Sequence, residues 1–504
     1  MNYKDLKRKH LFLLEELTTL REEIFSEGNA TFERWKPNID RKVFSSSAMN
    51  LAYYLALRRR DIRDIQDSLM SLGLSSLGRS ESRVLSNLDL VIFNLSKIIG
   101  KNEYFRNQSL SNSYFFGRRM LERNSKRIFG NSDSNRYTNV MVTIPTEAAN
   151  DYPFIQKLIL NGMNVARINC AHDNEEVWSN MIHNIRRAEK ELNKNCKILM
   201  DIAGPKARID WLLTTVKHPK LSVGDAFIVT GEKLLHRVDG MDFVCGCTIP
   251  EIESSLNEGD SVLIDDGMIE GHVETINDDG VVVRIDKMLK KNMKLKVGKG
   301  LNFPRSKINM NILSDKDKKD LDFICGKADI IGFSFIKDAQ DIAICQKEIE
   351  KRVGENEASA VSIMAKIETL SAVQHLPEII VTGASKNPFC VMIARGDLAV
   401  ETGYLRLAEL QEEILCICEA AHVPVIWATQ VLEGMVKTGI PSRAEITDVS
   451  MGSRAECIML NKGDSVLHAL ETLDKILINM QEQQYKKTPR LRSLSIAKED
   501  LITT

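Results

Sequence analysis

Eight short apolar runs, spaced so that a helix-length segment fits between most of them, constrain this chain more than any other feature. The runs are Val140–Pro145, Val165–Asn169, Ile198–Ile202, Ile330–Phe335, Ser362–Glu368, Val391–Asp397, Val425–Gln430 and Cys457–Leu460. Amphipathic stretches lie between most of them, among them Phe154–Leu160, Glu175–Leu192, Lys316–Cys325, Asp338–Lys351, Leu407–Ala421 and Ser465–Met480. Strands apolar on both faces, each followed by a helix and repeated eight times, predict an α/β chain, a (β/α)8 TIM barrel. The barrel is expected over 138–209 and 303–482.

The third repeat is interrupted. After Arg208 the segments SVGDAFIVTG, SVLIDDGMIEGHVETI and GVVVRIDKML are strand-like and bounded by Gly-Asp and Asn-Asp-Asp-Gly turn signals. They predict a small β-barrel cap domain, 210–302, inserted at the top of strand 3. Helix resumes at Ser314, an N-cap with acids in the turn after it. Residues 1–137 carry apolar residues at three- and four-residue intervals, the pattern of an N-terminal α-helical extension packing on the main body or on another chain. Its basic run Arg58-Arg59-Arg60 reads as a solvated helix face, with an anion or partner site as the other reading. Residues 483–504 read as a mobile polar tail.

Lys plus Arg (68) nearly balances Asp plus Glu (69), so whole-chain attraction to nucleic acid or membrane is not expected. The opening MNYKDLKRKHLF has no apolar signal core, which predicts a cytoplasmic protein. The ten cysteines form no C-x-x-C pair, so zinc is not expected, and they read as small buried apolar groups.

In barrels of this kind chemistry gathers where strands end at the carboxyl face. Those ends carry Arg167 and Asn169, Asp201, Ser334, Lys366 and Glu368, Arg395-Gly396-Asp397, and Thr429. Side chains two apart on a strand share a face, so Lys366 and Glu368 project together, as do Arg167 and Asn169. Burying such charges is costly unless they serve a charged ligand or a metal. Glu368 and Asp397 offer two hard oxygen ligands suited to Mg²⁺, and Arg167 and Lys366 add two positive charges; together they suit a phosphoryl group.

The segments MNVARINCAHD, DIAGPKARI, VLIDDGMI, KGLNFP, IMAKIE, VMIARGDLAVE and WATQVLEGMVKTGIPSRAEITDV, in this order, resemble the pyruvate kinase family over about Val140 to Met480. The helical front resembles a bacterial branch with a long N-terminal segment. The resemblance implies transfer of a phosphoryl group from phosphoenolpyruvate to ADP, giving pyruvate and ATP. It implies that Arg167 binds the transferring group and Lys366 stabilises it and the enolate. It gives Glu368 and Asp397 the divalent metal, Mg²⁺ or Mn²⁺ in its place. The backbone of Ala394, Arg395 and Gly396 would hold the substrate carboxylate, with Asp397 and Ser334 also at the substrate and Thr429 near the face where the enolate is protonated. Asn169, His172, Arg208 and Lys299 would face the nucleotide; for Lys299 a solvated strand edge, and for His172 a structural loop role, are the other readings.

Three departures from the family pattern carry expectations. The N-F-S-H motif is Asn169-Cys170-Ala171-His172, and the glutamate of K-G-P-E-I-R-T is Lys206. An ammonium in place of a carboxylate makes the local charge more positive by about two and repels a further cation, so Lys206, with Asn169 and Asp201, is expected to stand in for K⁺, which is then not required. The C-T-I-G-P-A-S opening is Val142-Thr143-Ile144-Pro145-Thr146-Glu147-Ala148, and the S-G-E-T-A segment is Asn461-Lys462-Gly463-Asp464, which leaves nucleotide preference open. The family's C-terminal regulatory domain is expected to be absent, and sugar-phosphate control through it likewise. Arg443-Ala444-Glu445 resembles a segment near the family's barrel-to-barrel contact, implying a homo-oligomer, a dimer through the barrel. A Mg²⁺-dependent 2-oxo-acid aldolase or lyase, and a non-catalytic regulatory or binding barrel, are the alternatives.

Overall fold

The structure is a computed structural model that describes residues 3–101, 114–131, 136–217, 219–232, 238–291, 293–304, 306, 308 and 310–493. Eight parallel strands close into a barrel: β1 (Asn139–Thr143), β2 (Val165–Asn169), β3 (Lys197–Asp201), then, after the cap strands, β11 (Ile330–Phe333), β12 (Ser362–Ile367), β13 (Phe389–Ala394), β14 (Val425–Ala428) and β15 (Cys457–Leu460). Each coincides with one of the eight apolar runs. Ser314 caps the helix Asp315–Ile324 with a full capping box to Asp317.

Alternation along the strands sorts the side chains. On β1, Val140 and Val142 join the outer core under the helices, whereas Met141 points inward with Val165, Leu199, Ile330, Met364 and Met392. One pleat further toward the carboxyl ends the inward set is polar: Thr143 above Met141, Arg167 above Val165, Asp201 above Leu199, Lys366 above Met364. The apolar floor and the charged layer above it are therefore consecutive rows of the same strand faces.

The cap strands are β4 (Ile209–Thr214), β5 (Ala226–Thr230), β6 (Phe243–Cys247), β7 (Ser261–Ile264), β8 (Ile269–Asn277), β9 (Gly280–Met288) and β10 (Leu301–Asn302), in sheet order β10-β7-β8-β9-β5-β6-β4. The sheet's ends meet through a bridge between Arg208 and Gly300, with Ile209 N donating to Lys299 O (2.9 Å) and Leu301 N to Ala207 O (2.9 Å). These contacts close it into a small barrel with its own core, including Phe227, Val262, Val283 and Leu301.

The front of the chain folds as α1 (Tyr3–Trp35), α2 (Ser45–Arg58), α3 (Arg63–Met70), α4 (Val84–Ile98) and α5 (Phe116–Phe129). It packs on the main body, the first of the two partners considered from sequence. Leu17, Ile24, Leu51 and Leu88 belong to the same apolar cluster as the outer barrel residues. Arg41 N donates to Ser385 O at 2.8 Å, and Asn50 Nδ2 to Ala420 O at 2.8 Å. Ile128 and Phe129, at the end of α5, join the interior cluster of the barrel and form its floor.

The tail departs from its sequence reading. Residues Gln484–Tyr485 and Thr488–Pro489 pair as a hairpin. Tyr485 lies under Arg118 (4.0 Å) and against Tyr137; Lys486 pairs with Glu456, and Lys487 with Glu412 at 2.5 Å. Polar composition suggested mobility because the acids that hold these lysines lie elsewhere in the chain. Residues 494–504 lie outside the described residues.

Candidate active site

At the carboxyl ends of the strands the charged layer is one connected network. Arg167 donates from Nε (3.0 Å) and Nη2 (2.5 Å) to Asp201 Oδ2, and from Nη1 to Thr143 Oγ1 (3.0 Å). Lys366 Nζ reaches Ser334 Oγ at 2.8 Å, Glu368 Oε1 at 3.0 Å and Asp201 Oδ2 at 3.7 Å. Asp201 and Glu368 are each 1% exposed and Arg167 8%, so water does little to separate these charges.

Burial alone would raise the Asp201 carboxyl, but Lys366 and Arg167 outweigh it and hold the group below the ordinary carboxylate range. Burial would likewise depress Lys366, and Asp201 and Glu368 outweigh it, keeping the ammonium charged. Glu368 goes the other way: burial, aided by repulsion from Asp397, raises it despite Lys366. The backbone N of Phe335 donates to Glu368 Oε2 at 2.6 Å and fixes its orientation. Room for Asp201 depends on Gly332, where a Cβ would fall 3.0 Å from Asp201 Oδ1 and 2.5 Å from Met364 Cε.

Asp397 lies in the first turn of the helix Arg395–Thr402. Its Oδ1 is 2.6 Å from Lys206 Nζ, which also lies 3.4 Å from Asp266 on the cap. Lys206 thus spans the barrel and the cap; among the described residues its ion pairs run to these two acids and not to Asn169 or Asp201, the sequence-based grouping. Attraction to Asp397 and Asp266 outweighs burial and raises it. Two carboxylates that repel one another, one fully buried, suit a dication. Among the described residues no group of three or more His, Cys, Asp or Glu is placed to hold a metal ion.

The Arg395 side chain is occupied: Nε donates to Ala428 O (2.8 Å), Nη2 to Thr429 O (2.7 Å) and to Asp448 Oδ2 (2.8 Å). It clamps the loop after β14, where Thr429 takes a φ of 71°, an uncommon conformation for a β-branched residue. A Cβ on Gly396 would meet Thr429 Cγ2 at 2.8 Å, so Thr429 sits against the start of the Arg395–Thr402 helix. Ser334 is 2% exposed, donates to Ile202 O (2.9 Å) and holds Lys366 from below.

On the proposed nucleotide side, Arg208 donates to Gly298 O (3.0 Å) and Lys299 pairs with Asp265 (2.7 Å), adjacent on the rim of the cap. Asn169 accepts from Ala171 N (3.2 Å), and exposed His172 gives its carbonyl to Trp178 Nε1 (3.0 Å). Among the described residues no side-chain hydrogen bond or ion pair links these four to the Arg167–Lys366 network.

Sequence reasoning did not assign Thr143 as a support of Arg167, Asp448 as the anchor of Arg395, or Asp266 as a partner of Lys206. The first had a signal, a hydroxyl at the end of a barrel strand in register with Arg167. The other two lie far from their partners in the chain.

A (β/α)8 barrel with an inserted β-domain, whose carboxyl face gathers two cations and a carboxylate pair, fits a phosphotransferase. A family model for the pyruvate kinase barrel domain matches residues 135–466. A pyruvate kinase of Thermotoga maritima is 28% identical over 370 residues, covering 73% of this chain and 75% of that protein. Those of Staphylococcus epidermidis (30% over 364 residues) and Hypocrea jecorina (32% over 331 residues) align with 70% and 65% of this chain and 58% of their own lengths. The solved structure of a pyruvate kinase from Cryptosporidium parvum superposes with a TM-score of 0.61 at 28% identity, covering 71% of this chain and 72% of that one. The chain belongs to the pyruvate kinase family. Among the described residues no helix is long and apolar enough to cross a membrane.

Proposed function

We propose that the protein transfers the phosphoryl group of phosphoenolpyruvate to ADP, yielding pyruvate and ATP, with Mg²⁺ held by Glu368 and Asp397 and without a requirement for K⁺. The observation that carries this is the shared carboxylate: Arg167 and Lys366 converge on Asp201 Oδ2 at 2.5 and 3.7 Å, so two fixed cations are held side by side next to Glu368. When bound, the divalent ion would offset negative charge on substrate oxygens.

The protein's own groups supply the rest. Arg167, tied down on Asp201 and Thr143, presents its remaining edge to the phosphoryl group without reorganising. Lys366 Nζ offsets charge on the phosphoryl group in flight and then on the enolate oxygen left when the bridging P–O bond breaks. A terminal phosphate oxygen of ADP forms the new bond, with Asn169, His172, Arg208 and Lys299 on the nucleotide side. The backbone N–H groups at the start of Arg395–Thr402 donate to the substrate carboxylate, and the enolate carbon gains its proton on the side facing Thr429. Closure of the cap excludes water, which would otherwise take the phosphoryl group. Lys206, a fixed ammonium, serves where a relative with glutamate would need a monovalent cation.

The test is a coupled assay for pyruvate from phosphoenolpyruvate, run with and without ADP and Mg²⁺. Pyruvate formation requiring both is expected. Pyruvate release at the same rate without ADP overturns the assignment.

A further inference from the structure

The basic run at the end of α2, exposed at Arg58 and Arg59, borders a concave surface. Arg58, Arg59 and Arg60, with Arg63 at the start of α3, surround a cavity of about 520 Å³ whose other walls include Gln66 and Ser80. That volume falls within the range of ordinary small-molecule sites. The active-site network does not include it.

Ion-pair accounting separates the four arginines. Arg60 is committed to Glu23 (3.1 Å) and Glu27, and Arg63 to Asp61 (2.5 Å). Among the described residues Arg59 has only a long contact to Glu27, 3.7 Å. Arg58 has no carboxylate within ion-pair distance among the described residues. Instead its Nη1 donates to Tyr54 Oη at 2.8 Å, with the guanidinium 5.6 Å from the ring centroid. Glu81, which also lines the cavity, is paired with Lys487 at 3.5 Å. Arg58 is thus an exposed cation, oriented by one hydrogen bond to a buried phenol, with no other side-chain hydrogen-bond partner among the described residues, and Arg59 stands beside it.

A planar guanidinium held in this way matches the paired oxygens of a phosphoryl group, and the concavity favours a small anion over an extended polymer. We propose that the cavity between α2 and α3 binds a small anion carrying phosphoryl groups, with Arg58 and Arg59 as its principal contacts. From its floor a polar chain leads into the barrel. Glu81 pairs with Lys487, which also pairs with Glu412 (2.5 Å); Glu412 in turn holds Arg454 (2.7 Å), three residues before β15. An occupant would therefore sit at one end of contacts that tie the extension to the eighth strand.

The test uses the full chain and inorganic pyrophosphate, titrated calorimetrically without divalent metal. Saturable binding is expected, weakened at least tenfold in R58A/R59A and unchanged in K366M, with R58K restoring part of the affinity lost in R58A. The double variant should keep the wild-type melting temperature and basal turnover. The proposal is overturned if pyrophosphate does not bind, if R58A/R59A binds as well as wild type, or if K366M abolishes the binding, which would assign it to the phosphoryl centre. It is equally overturned if only a long polyanion such as duplex RNA binds, with steep salt dependence.

Discussion

Lowering the pH should loosen the joint between the helical extension and the barrel, and His422 sets the size of the effect. This residue, 1% exposed, lies just before β14. Its Nδ1 is 2.8 Å from Ser47 Oγ on α2 and its Nε2 3.2 Å from Ser82 O; its carbonyl accepts from Asn124 Nδ2 at 2.8 Å on α5. Both ring nitrogens are thus satisfied in the neutral form, with Nε2 donating and Nδ1 accepting. Burial lowers its pKa from 6.5 to about 4, only partly opposed by the Ser82 carbonyl. The folded protein therefore binds fewer protons than the unfolded chain between these two values, so stability falls as pH drops through that window. At 1.36 kcal/mol per pH unit, linkage removes about 2 kcal/mol between pH 7 and pH 5, and about 3 kcal/mol by pH 4. The comparison is with H422N, since asparagine tolerates the positive φ of 51° at this position and does not titrate. Urea unfolding at pH 7 and pH 5 should give an acid-induced loss about 2 kcal/mol larger for wild type than for H422N, because carboxylates common to both cancel. Equal losses in the two proteins would refute the reasoning and move the acid sensitivity to other groups.

Three further outcomes follow from the site and the tail. Lys366→Met should lower kcat by roughly 10³–10⁵, the scale of an arginine finger, and should also lower the melting temperature, because Asp201 and Glu368 lose their ammonium; a near-normal rate would remove Lys366 from the chemistry. At constant ionic strength K⁺ should change wild-type turnover less than twofold, whereas K206E, which puts a carboxylate beside Asp397, should become K⁺-activated; a tenfold activation of wild type contradicts the role given to Lys206. Lys486→Met leaves Glu456, 9% exposed and holding Val425 N at 2.9 Å, without its ammonium. It should destabilise the fold by about 3–5 kcal/mol in urea unfolding, and a loss below about 1 kcal/mol would mean that the hairpin is incidental.

The barrel was legible because its strands are apolar on both faces, which makes each a short uninterrupted run, and because their helices differ from them in period. Lys366 and Glu368, or Arg167 and Asn169, could be grouped from sequence since two-residue spacing on a strand is a statement about one face. Ser314 was legible as a cap because the side chains that satisfy a helix start are local. The hairpin at Tyr485 was not, since Glu412, Glu456 and Arg118 come from three separated segments.

Local periodicity and spacing, then, decided which elements form and which side chains reach the open end of the barrel. Tertiary structure alone decided which charges meet: that Arg167 and Lys366 share Asp201, that Lys206 lies between Asp397 and the cap, and that Ile128 and Phe129 close the barrel floor. The physical reason is range. Backbone periodicity is set by neighbours a few residues apart, whereas an ion pair in a buried site joins any two segments that packing brings within about 4 Å, and no local pattern encodes that choice.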